Sequence, residues 1–307
     1  MPRSDSTLST FTAGDGENIA VQHWRLPAGA VRRGAVLLVH GLGEHAGRHE
    51  RLAQRLVAWG FEVHGYDQCG HGESSGRRGR IPSIRRLLQD LQDLIEATRR
   101  RLAPGEPLIV LGHSMGALVV TRLLLLRDMP VDGVVLSSPA FMLRLGPVQR
   151  FMLRIVPRLA PDLAVGNGIA PEALSHDPDV VDAYRSDPLV HDRVSGRLAR
   201  FMAEAGTRVL AQAGRWKLPT LLVWGGSDCV VDPRGSRRFA ERTPPGVVRA
   251  CAFRGLFHEV FNEMEAEPVY AALQRWLEET FPPPPRGAAP ASPVPQRMPP
   301  PAAPIPS

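Results

Sequence analysis

Apolar positions along this chain follow two regimes. Ala35-Val36-Leu37-Leu38-Val39 and Pro107-Leu108-Ile109-Val110-Leu111 are continuous apolar runs with no polar face, and read as strands buried on both sides. Other segments carry a single apolar stripe. Arg51-Leu52-Ala53-Gln54-Arg55-Leu56-Val57-Ala58-Trp59 repeats its apolar residues at helical spacing and stops at Gly60. The pattern predicts a hairpin over 11–26 around Gly14-Asp15-Gly16-Glu17, strands at 35–39, 61–67, 108–111, 134–136, 220–224 and 247–253, and helices at 51–59, 84–102, 115–127 and 267–279. Strands that alternate with helices specify an α/β fold, with a mostly parallel central sheet flanked by helices on both faces.

Two stretches break the alternation. Residues 139–195 show no clear strand but carry apolar helical runs, and an insertion after a strand end would lie over the C-terminal edge of the sheet as a lid. Residues 282–307 are dominated by proline and alanine, have almost nothing to bury, and read as a disordered tail. With a flexible N-terminus over 1–10, the folded domain spans 11–281.

Composition narrows the class. The chain has 307 residues, 43% hydrophobic and 22% charged, enough for one large domain or two small ones. No run approaches the roughly 20 apolar residues of a membrane span, and the N-terminus lacks the apolar core of a secretory signal. Three scattered cysteines, Cys69, Cys229 and Cys251, supply neither a disulfide framework nor a zinc site, which suits a reducing cytoplasm. The net charge of +6 is carried by arginine, with Lys217 the single lysine, and no basic run is interleaved with aromatics; nucleic acid is not an expected partner.

Gly112-His113-Ser114-Met115-Gly116 joins the 108–111 strand to an apolar helix, which puts Ser114 on a sharp reversal with its hydroxyl thrust above the sheet. Gly72-Glu73-Ser74-Ser75-Gly76 has the same spacing, but Arg77-Arg78-Gly79-Arg80 follows it, a loop rather than a helix. A serine alcohol needs a base, usually histidine, and the histidine needs an acid. In this architecture the chain order is serine, acid, histidine. His258 follows the 247–253 strand, whereas His176 and His191 fall in or beside the lid. Asp228 lies just past the 220–224 strand; its competitor Asp232 precedes Pro233-Arg234 and reads as a helix cap. The backbone N–H groups of Met115 and Leu42 are the expected oxyanion donors.

His40-Gly41-Leu42-Gly43-Glu44-His45, Asp67-Gln68-Cys69-Gly70-His71-Gly72, Gly112-His113-Ser114-Met115-Gly116, Asp187-Pro188-Leu189-Val190, Gly226-Ser227-Asp228 and His258-Glu259 together resemble the monoacylglycerol lipase and lysophospholipase (serine aminopeptidase-like) branch of the α/β-hydrolases. The resemblance runs over about residues 11–280. It implies an α/β-hydrolase fold with a helical lid insertion, a Ser114-Asp228-His258 triad, an oxyanion hole at Leu42 and Met115, and no metal or organic cofactor. The expected activity is hydrolysis of monoacylglycerol or lysophospholipid esters through an acyl-enzyme, the partner being a small lipid ester. His40, Gly41, Phe141, Met142 and Phe151 are candidate substrate-binding residues.

Other readings of the same residues exist. A proline-type aminopeptidase would need carboxylates for the substrate amine, and Glu172, Asp177, Asp179 and Asp182 are available; a general carboxylesterase and a non-catalytic binding protein share the fold. His40, His45, His49, His64 and His71 cluster in sequence, but read as partners of loop backbone rather than metal ligands. Cys69 and Cys229 read as small buried residues rather than reactive thiols. Phe141 to Leu159 interleaves apolar residues with Arg144, Arg150, Arg154 and Arg158; it can rest on a membrane surface, making the protein peripheral, or pack on the core.

Overall fold

A strand without a polar face needs cover on both sides, and helices packed on the two faces of the sheet supply it. The computed structural model describes residues 6–283. Its elements are β1 (Thr7–Thr12), β2 (Asn18–Trp24), β3 (Gly34–Val39), α1 (Glu50–Ala58), β4 (Phe61–Tyr66), α2 (Arg86–Arg99), β5 (Leu108–His113), α3 (Met115–Leu126) and β6 (Gly133–Ser137). Then follow α4 (Pro147–Leu159), β7 (Ala164–Gly166), α5 (Pro178–Ser186), β8 (Arg193–Ser195), α6 (Gly196–Gln212), β9 (Thr220–Gly225), α7 (Arg234–Arg242), β10 (Val248–Phe253) and α8 (Glu267–Thr280). The eight-stranded sheet has the order β1-β2-β4-β3-β5-β6-β9-β10. β1, β2 and β4 pair antiparallel, and every pair from β4 to β10 is parallel.

Alternation along each strand divides the core in two. Ala35, Leu37 and Val39 of β3, with Leu108 and Val110 of β5, meet Leu87, Leu91, Leu118 and Val119 of α2 and α3. Val36 and Leu38, with Ile109 and Leu111, face Leu52 and Leu56 of α1 and Val269, Tyr270 and Leu273 of α8. α3 is buried on nearly every side, which is why its sequence shows no polar stripe. Parallel strands all end on one edge, so the loops after β3, β5, β9 and β10 gather there.

The structure departs from the sequence reading in three places. β1 begins at Thr7, four residues before the expected hairpin and inside the segment read as flexible. The lid contains a two-stranded ribbon, Ala164–Gly166 against Arg193–Ser195, whose three-residue strands are too short to show alternation. α6 was not anticipated, although Leu198, Phe201, Met202, Ala205 and Val209 mark its buried stripe. The expected tail beyond residue 283 lies outside the described residues.

Two histidines face each other across β2 and β4, with His23 Nδ1 and His64 Nδ1 2.7 Å apart. One ring must donate and the other accept, so the accepting ring must be uncharged and the two cannot both carry a charge. Burial, reinforced by Arg101 and Arg25, lowers His23, and burial together with His23 pushes His64 down to about 3. A base whose folded pKa is depressed stabilises the fold above its unfolded pKa of 6.5 and loses that contribution as the pH falls toward 3. Replacing His64 by Asn, which does not titrate, should flatten the fall in unfolding free energy between pH 5.5 and 4 by ~1.4 kcal/mol per pH unit, measured by urea denaturation. An unchanged slope would show that the pair carries no linkage.

Candidate active site

β5 ends and α3 begins at Ser114, whose φ of 51° and ψ of −115° lie outside the regions that most residues occupy. The reversal brings α3 against β5 and β3. A Cβ at Gly112 would sit 2.6 Å from Ala117 Cα, and one at Gly116 would collide with the Val39 carbonyl. Backbone contacts pin the turn: Ser114 N–H donates to Ser137 O at 2.9 Å, and Ser114 O accepts from Ala140 N–H at 3.1 Å. Ser74, with the same flanking pattern, lies elsewhere; its hydroxyl donates to the Asp67 carbonyl and accepts from Ala20 N–H, a loop-bracing role.

Asp228 follows β9 and His258 follows β10, and the structure brings them together: His258 Nδ1 lies 2.7 Å from Asp228 Oδ2. The other carboxylate oxygen accepts from Val230 and Val231 N–H at 2.8 and 3.0 Å, so Asp228 is held from behind. With Nδ1 committed, Nε2 is the nitrogen left for proton transfer. Burial opposes charge on His258, but the Asp228 carboxylate and its hydrogen bond, followed by Glu259 and Glu44, hold it above the ordinary 6.5. His113, its neighbour at 4.8 Å between ring centres, is driven down to about 3 by burial and by His258. Asp232 is engaged instead with Arg234 at the start of α7.

The loop after β3 closes the other side. Leu42 and Met115 N–H donate to no acceptor among the described residues, which leaves both amides available. Gly41 N–H donates to Glu44 Oε1 at 2.6 Å, fixing the loop's direction. A small cavity beside Ser114 is lined by Gly41, Leu42, Glu44, Arg48, His113, Ile169, Leu174, Tyr184, His258 and Glu259. Ile169, Leu174 and Tyr184 come from the second half of the lid. His40 lies beneath the loop, its Nε2 accepting from Gln68 N–H. Phe141 packs on Phe239 in the core, Met142 is half-buried, and Phe151 is 60% exposed on α4; none of the three lines this cavity.

The remaining candidates fall into structural roles. His45 pairs with Asp187, His49 with Glu44, His64 with His23, and His71 with the Cys69 carbonyl. Cys69 is buried and its thiol is pushed up to about 11, chiefly by desolvation. Cys229 is exposed, against expectation, because it sits at the outer tip of the turn whose buried side holds Asp228. Glu172 and Asp182 pair with Arg185 on the outside of the lid, Asp177 caps α5, and Asp179 sits in that helix's first turn. Sequence reasoning missed Glu44, Arg48, Tyr184 and Glu259 as wall residues, although Glu44 and Glu259 lie within the quoted motifs. Replacing Gly116 by Ala should cost about 2–4 kcal/mol in urea denaturation, because the colliding atom is backbone and cannot step aside; a loss below ~1 kcal/mol would contradict the close approach.

Comparisons with known proteins place this geometry. Residues 30–265 match the family model for serine aminopeptidase, S33. The chain is 35% identical over 248 residues to the monoacylglycerol lipase of Mycolicibacterium smegmatis, covering 80% of this chain and 88% of that protein. An uncharacterized abhydrolase domain-containing protein of Dictyostelium discoideum is 31% identical over 278 residues; the match takes in 89% of this chain but spans 29% of that longer protein. The crystal structure of Paleococcus ferrophilus monoacylglycerol lipase superposes with a TM-score of 0.77 at 35% identity, over 85% of this chain and 99% of that one. A soluble variant of the Saccharomyces cerevisiae monoglyceride lipase shares the fold, with a TM-score of 0.79 at 22% identity over 90% and 95% of the two chains. The chain therefore belongs to the serine aminopeptidase S33 family of α/β-hydrolases.

Proposed function

We propose that this protein is a serine carboxylester hydrolase that cleaves monoacylglycerol. The observation that carries the reading is the pairing of His258 Nδ1 with Asp228 Oδ2 at 2.7 Å, on the same sheet edge as a serine on a strained turn. Ser114 Oγ attacks the ester carbonyl while His258 Nε2 takes its proton, and Asp228 holds the imidazolium that forms. The carbonyl oxygen becomes an oxyanion, received by Leu42 and Met115 N–H; one such donor is worth about 3 kcal/mol of barrier. Collapse of this intermediate breaks the ester C–O bond, and His258 returns the proton to the departing alcohol. Water, deprotonated by the same nitrogen, then releases the fatty acid and restores Ser114.

The cavity wall supports a glycerol head group. Leu42, Ile169 and Leu174 are apolar, whereas Glu44, Arg48, Tyr184 and Glu259 offer polar atoms. Arg48 has its charge balanced by two carboxylates, which disfavours its use for the phosphate of a lysophospholipid. Glu44 and Glu259 are engaged by that arginine, and Glu172 and Asp182 of the lid by Arg185, which disfavours capture of a peptide amine. The two relatives named as monoacylglycerol lipases at 35% identity point the same way.

The lid supplies a membrane contact. Among the described residues no helix is long and apolar enough to cross a membrane. α4, however, buries only Pro157 and turns Val148, Phe151, Met152, Ile155 and Leu159 outward, the last 79% exposed, beside Arg150, Arg154 and Arg158. An apolar stripe with basic flanks suits an anionic bilayer surface from which a single-chain lipid is drawn.

Two outcomes test these assignments. Ser114→Ala should lower turnover of 1-monooleoylglycerol by at least ~1000-fold, and the unaltered enzyme should prefer that ester to a lysophospholipid and to a proline amide; activity surviving in the variant would remove Ser114 from its role. Phe151→Asp with Leu159→Asp should weaken co-sedimentation with phosphatidylglycerol vesicles about tenfold or more while leaving 4-nitrophenyl butyrate hydrolysis intact. Equal sedimentation of both proteins would sink the membrane contact.

A further inference from the structure

A chain of buried charges runs through the cavity wall, from the oxyanion loop to the loop that carries His258. Glu44 Oε1 accepts Gly41 N–H at 2.6 Å, and its Oε2 accepts from Arg48 at 2.9 Å. Arg48 donates from both terminal nitrogens to Glu259, at 2.7 and 3.0 Å, and Glu259 is joined through one peptide bond to His258. The guanidinium also lies over the Tyr184 ring of α5, 4.7 Å from its centre. Side-chain exposures of 8% for Arg48, 5% for Glu44 and 4% for Glu259 take the bridge out of bulk water. Glu259 is fastened further by its N–H to Leu174 O at 2.8 Å and by Asn262 Nδ2 at 2.8 Å.

We propose that Arg48 is a positioning residue that ties the oxyanion loop to the catalytic-histidine loop, and that the charge balance of the Glu44–Arg48–Glu259 bridge sets the pH range in which His258 acts as a base. The proposal rests on the triad reading above. Without Arg48, two buried carboxylates face each other across the site, and the loops they anchor lose their common partner. Both terminal nitrogens of the guanidinium are already taken, so the residue is better placed to brace than to hold substrate. The charged and titratable groups packed around His258 come from every neighbouring element: Asp228 after β9, His113 at the end of β5, Glu259 in its own loop, and Glu44 on the segment after β3, whose own partners Arg48 and His49 lie on that segment too. Burial pulls Glu259 upward, but Arg48 outweighs it and keeps the carboxylate below its ordinary value, so the bridge is charged on both sides.

The test compares the full-length protein with Arg48→Met, Arg48→Lys and Glu259→Gln, using 4-nitrophenyl butyrate, whose leaving group has no glycerol, and 1-monooleoylglycerol. Arg48→Met should lower kcat on both substrates by ~100-fold with little change in KM. Its acid limb should move upward by about one pH unit, because a positive neighbour of His258 is gone. Glu259→Gln should move the limb downward, because a negative neighbour is gone. Arg48→Lys should return the limb to the position of the unaltered enzyme without recovering the rate, since an ammonium restores charge but cannot bridge both carboxylates. Should Arg48→Met fail to fold, Glu259→Gln, whose limb moves downward, and Arg48→Lys, whose limb stays in place while its rate falls, carry the comparison. A defect confined to KM for 1-monooleoylglycerol, a Glu259→Gln limb that does not move downward, or an Arg48→Met limb that does not move upward would overturn the proposal. Failure of the triad reading is separable, because it would appear as 4-nitrophenyl butyrate turnover by Ser114→Ala.

Discussion

The reversal at Ser114 is the constraint on which the site depends. β5, α3 and β3 meet there so closely that positions 112 and 116 have room for hydrogen alone. Holding a serine in this sparsely populated backbone state costs about 1–3 kcal/mol. α3 offsets it, because Leu118, Val119, Val120 and Leu123 are fully buried and each contributes about 1.5–3 kcal/mol. The hydrogen bonds to Ser137 and from Ala140 then pin the turn through both its N–H and its carbonyl. The strained residue is thus held by the most apolar helix of the fold.

The same edge of the sheet shows how neighbours, not depth, decide the charge of a histidine. His40, His71 and His113 are as buried as His258, and desolvation lowers all three. His258 moves the other way because a carboxylate sits on its Nδ1. Glu44 illustrates the converse. Burial works against its charge, yet His49 and Arg48 keep it ionised, and an ionised Glu44 is the stronger acceptor for Gly41 N–H. Buried charges are tolerable here because each has a partner of opposite sign.

Much of this was legible in the sequence. The continuous runs at 35–39 and 108–111 identify β3 and β5 because a parallel strand covered on both faces has no reason to carry a polar residue. Ser114, Asp228 and His258 follow from strand ends and chain order, both local properties. The bridge through Arg48 was not legible, since Glu44 and Glu259 are 215 positions apart and only the closed sheet edge shows that one guanidinium reaches both. Phe141 and Phe151 failed as guides to the Ser114 cavity for a related reason. Hydrophobicity marks residues that shun water, but does not say whether they meet the core, as Phe141 does, or remain outside, as Phe151 does.

The lid divides along its length. Ile169, Leu174 and Tyr184 roof the cavity, and Tyr184 and Asp187 are fastened to Arg48 and His45 of the segment after β3. α4, earlier in the chain, has its exposed apolar side turned away from that roof. One insertion therefore carries two surfaces with separate obligations, an inner one answerable to the shape of a single molecule and an outer one answerable to the medium around the protein. Under the proposed membrane contact, sequence drift in α4 would change where the protein attaches while leaving the cavity wall as it is, whereas a change at Tyr184 reaches Arg48 and the wall beside Ser114.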